Sequence, residues 1–127
     1  MKIEHAALWT ADLEQMKAFY ETYFCAAAGD KYTNVKKQFQ SYFLQFESGA
    51  RLELMTKPAC IGRDEGRVYL GYAHIAFSVG SEDKVVELTE RLRRDGYTVE
   101  GEPRVTGDGY FESVVLDPEG NSIEITV

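Results

Sequence analysis

No stretch of the 127-residue chain approaches the roughly 20 consecutive apolar residues that span a bilayer. Met1 runs directly into Lys2-Ile3-Glu4-His5 without an apolar leader, so a cytoplasmic location is expected. Cysteine is scarce: Cys25 and Cys60 stand far apart with no CxxC spacing, and both read as reduced thiols. Cationic residues are also in deficit, with 14 Lys and Arg against 21 Asp and Glu and a net charge of −7. An acidic surface repels phosphate backbones and anionic lipid, which excludes nucleic acid and membrane surfaces as expected partners. There is no low-complexity tract, and 44% hydrophobic with 28% charged residues describes a chain able to pack the core of one domain.

What the chain does have is an internal repeat. Lys2 to Thr10 alternates like a strand, and Asp12 to Cys25 places Leu13, Met16, Phe19, Tyr20 and Tyr23 on one helical face. Tyr32 to Lys36 reads as a short strand, and Gln40 to Phe46 and Arg51 to Thr56 as two more joined by a hairpin-type turn. The order then recurs: a strand over Tyr72 to Val79, a helix opening at Ser81 and stopping at Gly96, and strands over Tyr97 to Glu100, Phe111 to Leu116 and Ser122 to Val127. The expected fold class is therefore α+β, two βαβββ modules (about 1–56 and 72–127, with a linker at 57–71) forming one strongly curved mixed sheet with helices outside.

The repeat selects four residues. The only histidines, His5 and His74, lie in the first strand of each module, and Glu53 and Glu124 occupy matched places in Gly49-Ala-Arg-Leu-Glu-Leu and Gly120-Asn-Ser-Ile-Glu-Ile. Strand alternation puts Leu52 and Leu54, and Ile123 and Ile125, on one face and the two glutamates on the other. His5 shares its face with Ala7 and, further along, Trp9, and His74 with Tyr72, Ala76 and Ser78; the small Ala7, Ala76 and Ser78 leave room beside the imidazoles. Charges on an enclosed sheet face are costly unless paired or bound to a cation. Two imidazoles and two carboxylates suit Ni²⁺ or Zn²⁺, with Co²⁺, Mn²⁺ or Fe²⁺ as further choices, and a six-coordinate ion would keep two positions for a substrate.

These residues carry a family resemblance. Ile3-Glu4-His5-Ala6-Ala7-Leu8, Asp12-Leu13 with Phe19-Tyr20, Gly71-Tyr72-Ala73-His74-Ile75-Ala76-Phe77 and Leu116-Asp117-Pro118-Glu119-Gly120-Asn121-Ser122-Ile123-Glu124 resemble the vicinal oxygen chelate superfamily. That superfamily includes glyoxalase I, methylmalonyl-CoA epimerase, fosfomycin-resistance transferases, extradiol dioxygenases and bleomycin-binding proteins. The order His5, Glu53, His74, Glu124 is similar to the ligand set of bacterial glyoxalase I (lactoylglutathione lyase). The resemblance implies a divalent metal enzyme acting on the hemithioacetal of a 2-oxoaldehyde through a metal-chelated enediolate. It assigns Glu124 as the base and Glu53 as ligand or second proton carrier.

The chain departs from that pattern after the first ligand, where glyoxalase I enzymes place an arginine and this sequence has Ala6, Ala7, Leu8 and Trp9. Arg51, Arg67 and Arg104 are the remaining candidates for holding an anionic thiol. Trp9, Tyr42, Tyr69, Tyr110 and Phe111 are candidates to line a pocket, and Thr106 to Tyr110 reads as a lid or a turn. Two alternatives stand beside the lyase: another metal enzyme of the superfamily, an epimerase or thiol transferase, and a metal-free module that binds a drug or metabolite. The expected partners are a small-molecule substrate and a second copy of the chain, the paired modules favouring a two-fold dimer.

Overall fold

The computed structural model describes residues 1–62, 64 and 67–127. The expected linker over 57–71 thus includes Arg63, Glu65 and Gly66, which lie outside the described residues. The chain divides into two compact units, Met1–Glu65 and Gly66–Val127. No helix among the described residues is long and apolar enough to cross a membrane.

The first unit runs β1 (His5–Trp9), α1 (Leu13–Phe24), β2 (Ala27–Ala28), β3 (Tyr32–Asn34), β4 (Phe39–Gln45) and β5 (Arg51–Thr56). Asp12 caps α1 by accepting a hydrogen bond from the Gln15 amide at 2.9 Å, satisfying one of the donors left free at a helix start. Leu13, Met16, Phe19, Tyr20 and Phe24 fall on its buried side. They pack onto the sheet through Leu44, Leu52 and Leu54, each at most 3% exposed, and each such side chain contributes on the order of 1.5–3 kcal/mol by leaving water. The sheet order is β1-β5-β4-β2, with β3 on β4; β1 pairs β5 in parallel, as the α1 crossover requires, and the other ladders are antiparallel.

The second unit repeats the plan with β6 (His74–Ser78), α2 (Glu82–Arg94), β7 (Val99–Val105), β8 (Phe111–Leu116) and β9 (Ser122–Thr126). Ser81 caps α2 through its hydroxyl, Glu82 and Asp83 stand in the first turn, and Arg91, Arg93 and Arg94 in the last, each charge complementing the helix dipole. Gly96 follows at φ +92, a backbone geometry open to glycine at little cost. Val85, Thr89 and Leu92 of α2 are buried with Val115, Ile123 and Ile125 of the sheet, whose order is β6-β9-β8-β7 with β6 parallel to β9.

The α+β class, with mixed parallel and antiparallel pairing and a repeated βα opening, is as expected from the sequence. Three details differ. The strands form two sheets, one in each unit, where the repeat suggested one continuous sheet. The first unit carries the additional two-residue β2. And β7 continues to Val105 where the sequence suggested an end at Glu100. It passes Gly101 by irregular register, a point where an added Cβ would come within 3.2 Å of the Val114 side chain, and it accepts Pro103 because β7 is an edge strand with one side free of a ladder.

Candidate functional site

Each unit presents one histidine and one glutamate in the same register. In the first, His5 aligns with Arg51 and Ala7 with Glu53, so the imidazole and the Glu53 carboxylate are diagonal neighbours on one sheet face. His5 Nε2 lies 4.0 Å from Glu53 Oε2. In the second, His74 aligns with Ser122 and Ala76 with Glu124, and His74 Nε2 lies 3.1 Å from Glu124 Oε2. Because Leu52 and Leu54, and Ile123 and Ile125, commit their strands to the helix side, Glu53 and Glu124 are turned to the other face. The side chains of the glutamates are 15% and 20% exposed, and those of the histidines 39% and 42%, so the carboxylates are sheltered beside accessible imidazoles.

The two pairs are supported differently. His5 stacks edge-on against Phe43 with ring centroids 5.3 Å apart, and the Arg51 guanidinium lies 4.1 Å from the Phe43 ring centre. The other imidazole nitrogen, Nδ1, is 2.5 Å from Glu4 Oε2, and Arg51 donates from Nε (2.9 Å) and Nη2 (2.5 Å) to Glu4 Oε1. The hydrogen bond to His5, and then that to Arg51, hold the Glu4 carboxyl below its ordinary value of 4.5. In the second unit the matched places hold Ala73 and Ser122, and Val114 stands opposite Glu124 as Phe43 stands opposite Glu53.

A cavity of about 370 Å³ opens beside His74 and Glu124, with Ala76 at its wall and Asp108, Tyr110 and Glu112 around it. The Thr106 to Tyr110 segment is a closed turn between β7 and β8: the Thr106 and Tyr110 backbones are bonded to one another, and the Thr106 hydroxyl donates to Asp108. It contributes Asp108 and Tyr110 to the lining. The turn before β9 is fixed by Asp117, whose Oδ1 accepts from the Glu119 and Asn121 amides and whose Oδ2 accepts from Asn121 Nδ2. Burial pushes the Asp117 carboxyl above its ordinary 3.8, against the opposing pull of those hydrogen bonds.

Among the described residues, no three of His, Cys, Asp and Glu gather in a group fit to hold a metal; each unit offers two. The donor chemistry of each pair nonetheless fits a divalent ion, because an imidazole Nε2 and a carboxylate oxygen already face one another at 3.1 to 4.0 Å. Of the aromatic candidates, Tyr110 borders the cavity. Tyr42 does not: it points to the helix side, 9% exposed, with its hydroxyl on Glu14. Trp9 is exposed under the Lys57 ammonium group, 4.4 Å from the ring centre. Arg51 is committed to Glu4, and Arg104 lies 3.7 Å from Glu112. Both cysteines are free thiols; Cys60 lines a separate hollow in the first unit with Lys57, Pro58 and Gln38, remote in its lining from either His–Glu pair.

Sequence reasoning missed Glu4, Asp108 and Glu112. Strict alternation would place Glu4 opposite His5, but β1 begins only at His5, and the preceding residue is free to wrap back onto the ring. The signal was present as a carboxylate next to one of only two histidines.

Paired βα modules, each opening on a histidine strand laid parallel to a glutamate strand, define a class of domain in which two half-sites recur in one chain. The pattern of the Glyoxalase/Bleomycin resistance protein/Dioxygenase superfamily matches residues 2–125, and the chain belongs to that superfamily. It is similar to an uncharacterized protein, YqjT, of Bacillus subtilis (strain 168), 25% identical over 97% of this chain and 96% of the relative. Among solved structures it resembles a V278E mutant of glyoxalase I from Zea mays, with TM-score 0.80, 22% identity and coverage of 98% of this chain; the chain spans only 44% of that larger protein. It also resembles the trypanothione-dependent glyoxalase I of Leishmania major, with TM-score 0.80, 23% identity, and coverage of 99% of this chain and 86% of that one. At these identities the likeness to both structures is one of fold.

Proposed function

We propose that the protein is a divalent-metal-dependent isomerase of the glyoxalase I type, acting on the hemithioacetal that a 2-oxoaldehyde forms with a thiol. The observation that carries this reading is the recurrence of one His–Glu pair, in identical register, on the polar face of each sheet. His5, Glu53, His74 and Glu124 are the ligand set, one pair from each module. The ion, Ni²⁺ or Zn²⁺ by the softness of these donors, supplies Lewis-acid stabilisation of negative charge on the substrate oxygens.

The rest of the chemistry falls to side chains. Glu124 borders the cavity and takes the proton from the carbon bearing sulfur and hydroxyl, then returns one to the adjacent carbonyl carbon. The C–H electron pair moves within the substrate and the hydroxyl proton passes to the neighbouring carbonyl oxygen, so the hydroxyl carbon becomes the thioester carbonyl, the former carbonyl carbon becomes the alcohol, and no external oxidant is needed. Glu53 is the second carboxylate, a ligand or an alternative proton carrier. His74 Nε2 and Glu124 Oε2, 3.1 Å apart, are the two donors that this module would turn to the ion. Among the described residues the cavity is lined by Asp108, Glu112 and Glu124, with Arg104 3.7 Å from Glu112, an acidic set that favours a neutral or amine-bearing thiol over glutathione.

The test strips metal with a chelator, restores Ni²⁺ or Zn²⁺, and follows thioester formation from hemithioacetals made with anionic, neutral and amine-bearing thiols. Activity that disappears with the metal and returns on its addition is expected, as is a loss of about 10²-fold or more in Glu124→Gln. A wild-type protein that binds no divalent ion would overturn the reading and leave the cavity as a binding cleft.

A further inference from the structure

We propose that Glu4 is a positioning residue for His5, fixing which imidazole nitrogen faces the ion. The proposal rests on the metal reading above but is carried by geometry of its own. A neutral imidazole carries its proton on one nitrogen and a lone pair on the other, and a partner on one nitrogen decides which. Glu4 Oε2 sits 2.5 Å from Nδ1 of His5. A carboxylate accepts only, so the proton belongs on Nδ1 and the lone pair on Nε2, the nitrogen directed toward Glu53.

Glu4 is itself held. Arg51 grips its other oxygen from two nitrogens, and the Arg51 amide donates to the Glu4 carbonyl at 3.0 Å, so backbone and side chain both tie the residue to β5. Arg51 is also the residue aligned with His5 in the parallel ladder, and its guanidinium lies over the Phe43 ring, 4.1 Å from its centre, the ring that the imidazole meets edge-on. Arg51, Glu4 and His5 thus form a chain of charge-assisted contacts ending at Nε2. The second module lacks it: Ala73 and Ser122 occupy the matched positions, and neither has a carboxylate or guanidinium to offer. One half-site is built with its imidazole oriented in advance, and the other leaves His74 to be oriented by what it binds.

Carboxylates that hold the far nitrogen of a metal-binding imidazole typically contribute about 10- to 100-fold in affinity. The experiment compares wild type, Glu4→Leu and Glu4→Gln by two readouts. Long-range ¹H–¹⁵N spectra of the metal-free protein at about pH 8 report the tautomer of each histidine separately. Wild-type His5 is expected as the Nδ1–H form. In Glu4→Leu it should shift toward the Nε2–H form while His74 stays unchanged. Glu4→Gln, whose amide oxygen still accepts, should keep the wild-type tautomer. Calorimetric titration with Ni²⁺ should then show Glu4→Leu weakened by about 10- to 100-fold and Glu4→Gln by less. If wild type binds Ni²⁺ and Glu4→Leu binds it within about twofold, or if wild-type His5 shows the tautomer of Glu4→Leu, the role of Glu4 is overturned and the metal reading stands. If wild type binds no Ni²⁺, the metal reading falls, and the spectra still decide whether Glu4 fixes the ring.

Discussion

Tyr42 and Glu14 illustrate how a single side chain's polar end decides where it goes. The Tyr42 ring is buried on the helix side of β4, its hydroxyl donates to Glu14 at 3.1 Å, and the ammonium groups of Lys17 and Lys31 lie over the ring at 5.0 and 5.8 Å. Lys31 also donates to Glu14 at 2.9 Å, and this bond first of all holds the Glu14 carboxyl below its ordinary 4.5, while Glu14 holds the Lys31 ammonium above its ordinary 10.5. A lowered carboxyl stabilises the fold above its unfolded value and stops doing so as pH falls through the folded one; a raised ammonium stabilises below its unfolded value and stops as pH rises through the folded one. The pair therefore supports the native state between about 4.5 and 10.5. Glu14→Gln should lower the urea midpoint slightly at pH 7, with the difference fading at about pH 2 and in about 1 M salt, since both groups are exposed and screened. Equal midpoint differences at both pH values would show that charge plays no part. The same neighbourhood marks a limit of reading from sequence. Period-two alternation puts His5 and Glu53, and His74 and Glu124, on shared faces because apolar partners fix the other side, but it cannot distinguish a strand tyrosine that lines a pocket from one whose hydroxyl finds a helix carboxylate 28 residues away.

Among the elements, α2 and β8 are joined by an unusual buried contact. Thr89 and Ser113 are both fully buried, their hydroxyl oxygens are 2.6 Å apart, and the Thr89 hydroxyl reaches the Val85 carbonyl at 2.6 Å. Ser113 is thus satisfied only if Thr89 accepts from it while Thr89 donates within the helix. Thr89→Val keeps the shape and strands the Ser113 hydroxyl in an apolar layer, so a loss of about 1–3 kcal/mol is expected in urea unfolding. Adding Ser113→Ala removes the stranded group, so the double variant should be no less stable than Thr89→Val alone. Simple additivity would show that the two hydroxyls do not depend on each other. At this scale the sequence was informative about helices, because Asp12, Ser81 and Gly96 are side-chain and backbone signals for their ends. It was less so for β7, whose continuation past Gly101 and Pro103 depends on pairing with β8, a non-local fact that no local propensity contains. The extra β2 has the same origin, two alanines made into a strand by the edge of β4.

For the molecule as a whole, the decisive quantity is how many ions one chain holds. On the proposed reading each unit would contribute two donors, and two donors alone would make a weak site; four on one ion would make a far tighter one, with each tenfold in affinity equal to about 1.4 kcal/mol. The two arrangements differ in how substitutions combine. If the pairs act separately, His5→Ala removes one weak ion and leaves the other untouched, and the effects of His5→Ala and His74→Ala add. If one ion unites the pairs, the titration has one ion per chain, either substitution nearly abolishes it, and the double variant is no worse than either single one. The second outcome is expected. Mixing the single variants then locates the modules that share an ion. Where both halves come from one chain, a mixture of His5→Ala and His74→Ala chains stays empty. Where a two-fold dimer exchanges them, each mixed dimer rebuilds one site from the intact His5 of one chain and the intact His74 of the other, and destroys its symmetry mate. Random reassociation of equal amounts makes half the dimers mixed, so tight Ni²⁺ sites should return to about a quarter of the wild-type number. That recovery, measured by titration after mild unfolding and refolding of the mixture, separates an exchanged site from an intrachain one without reference to any substrate.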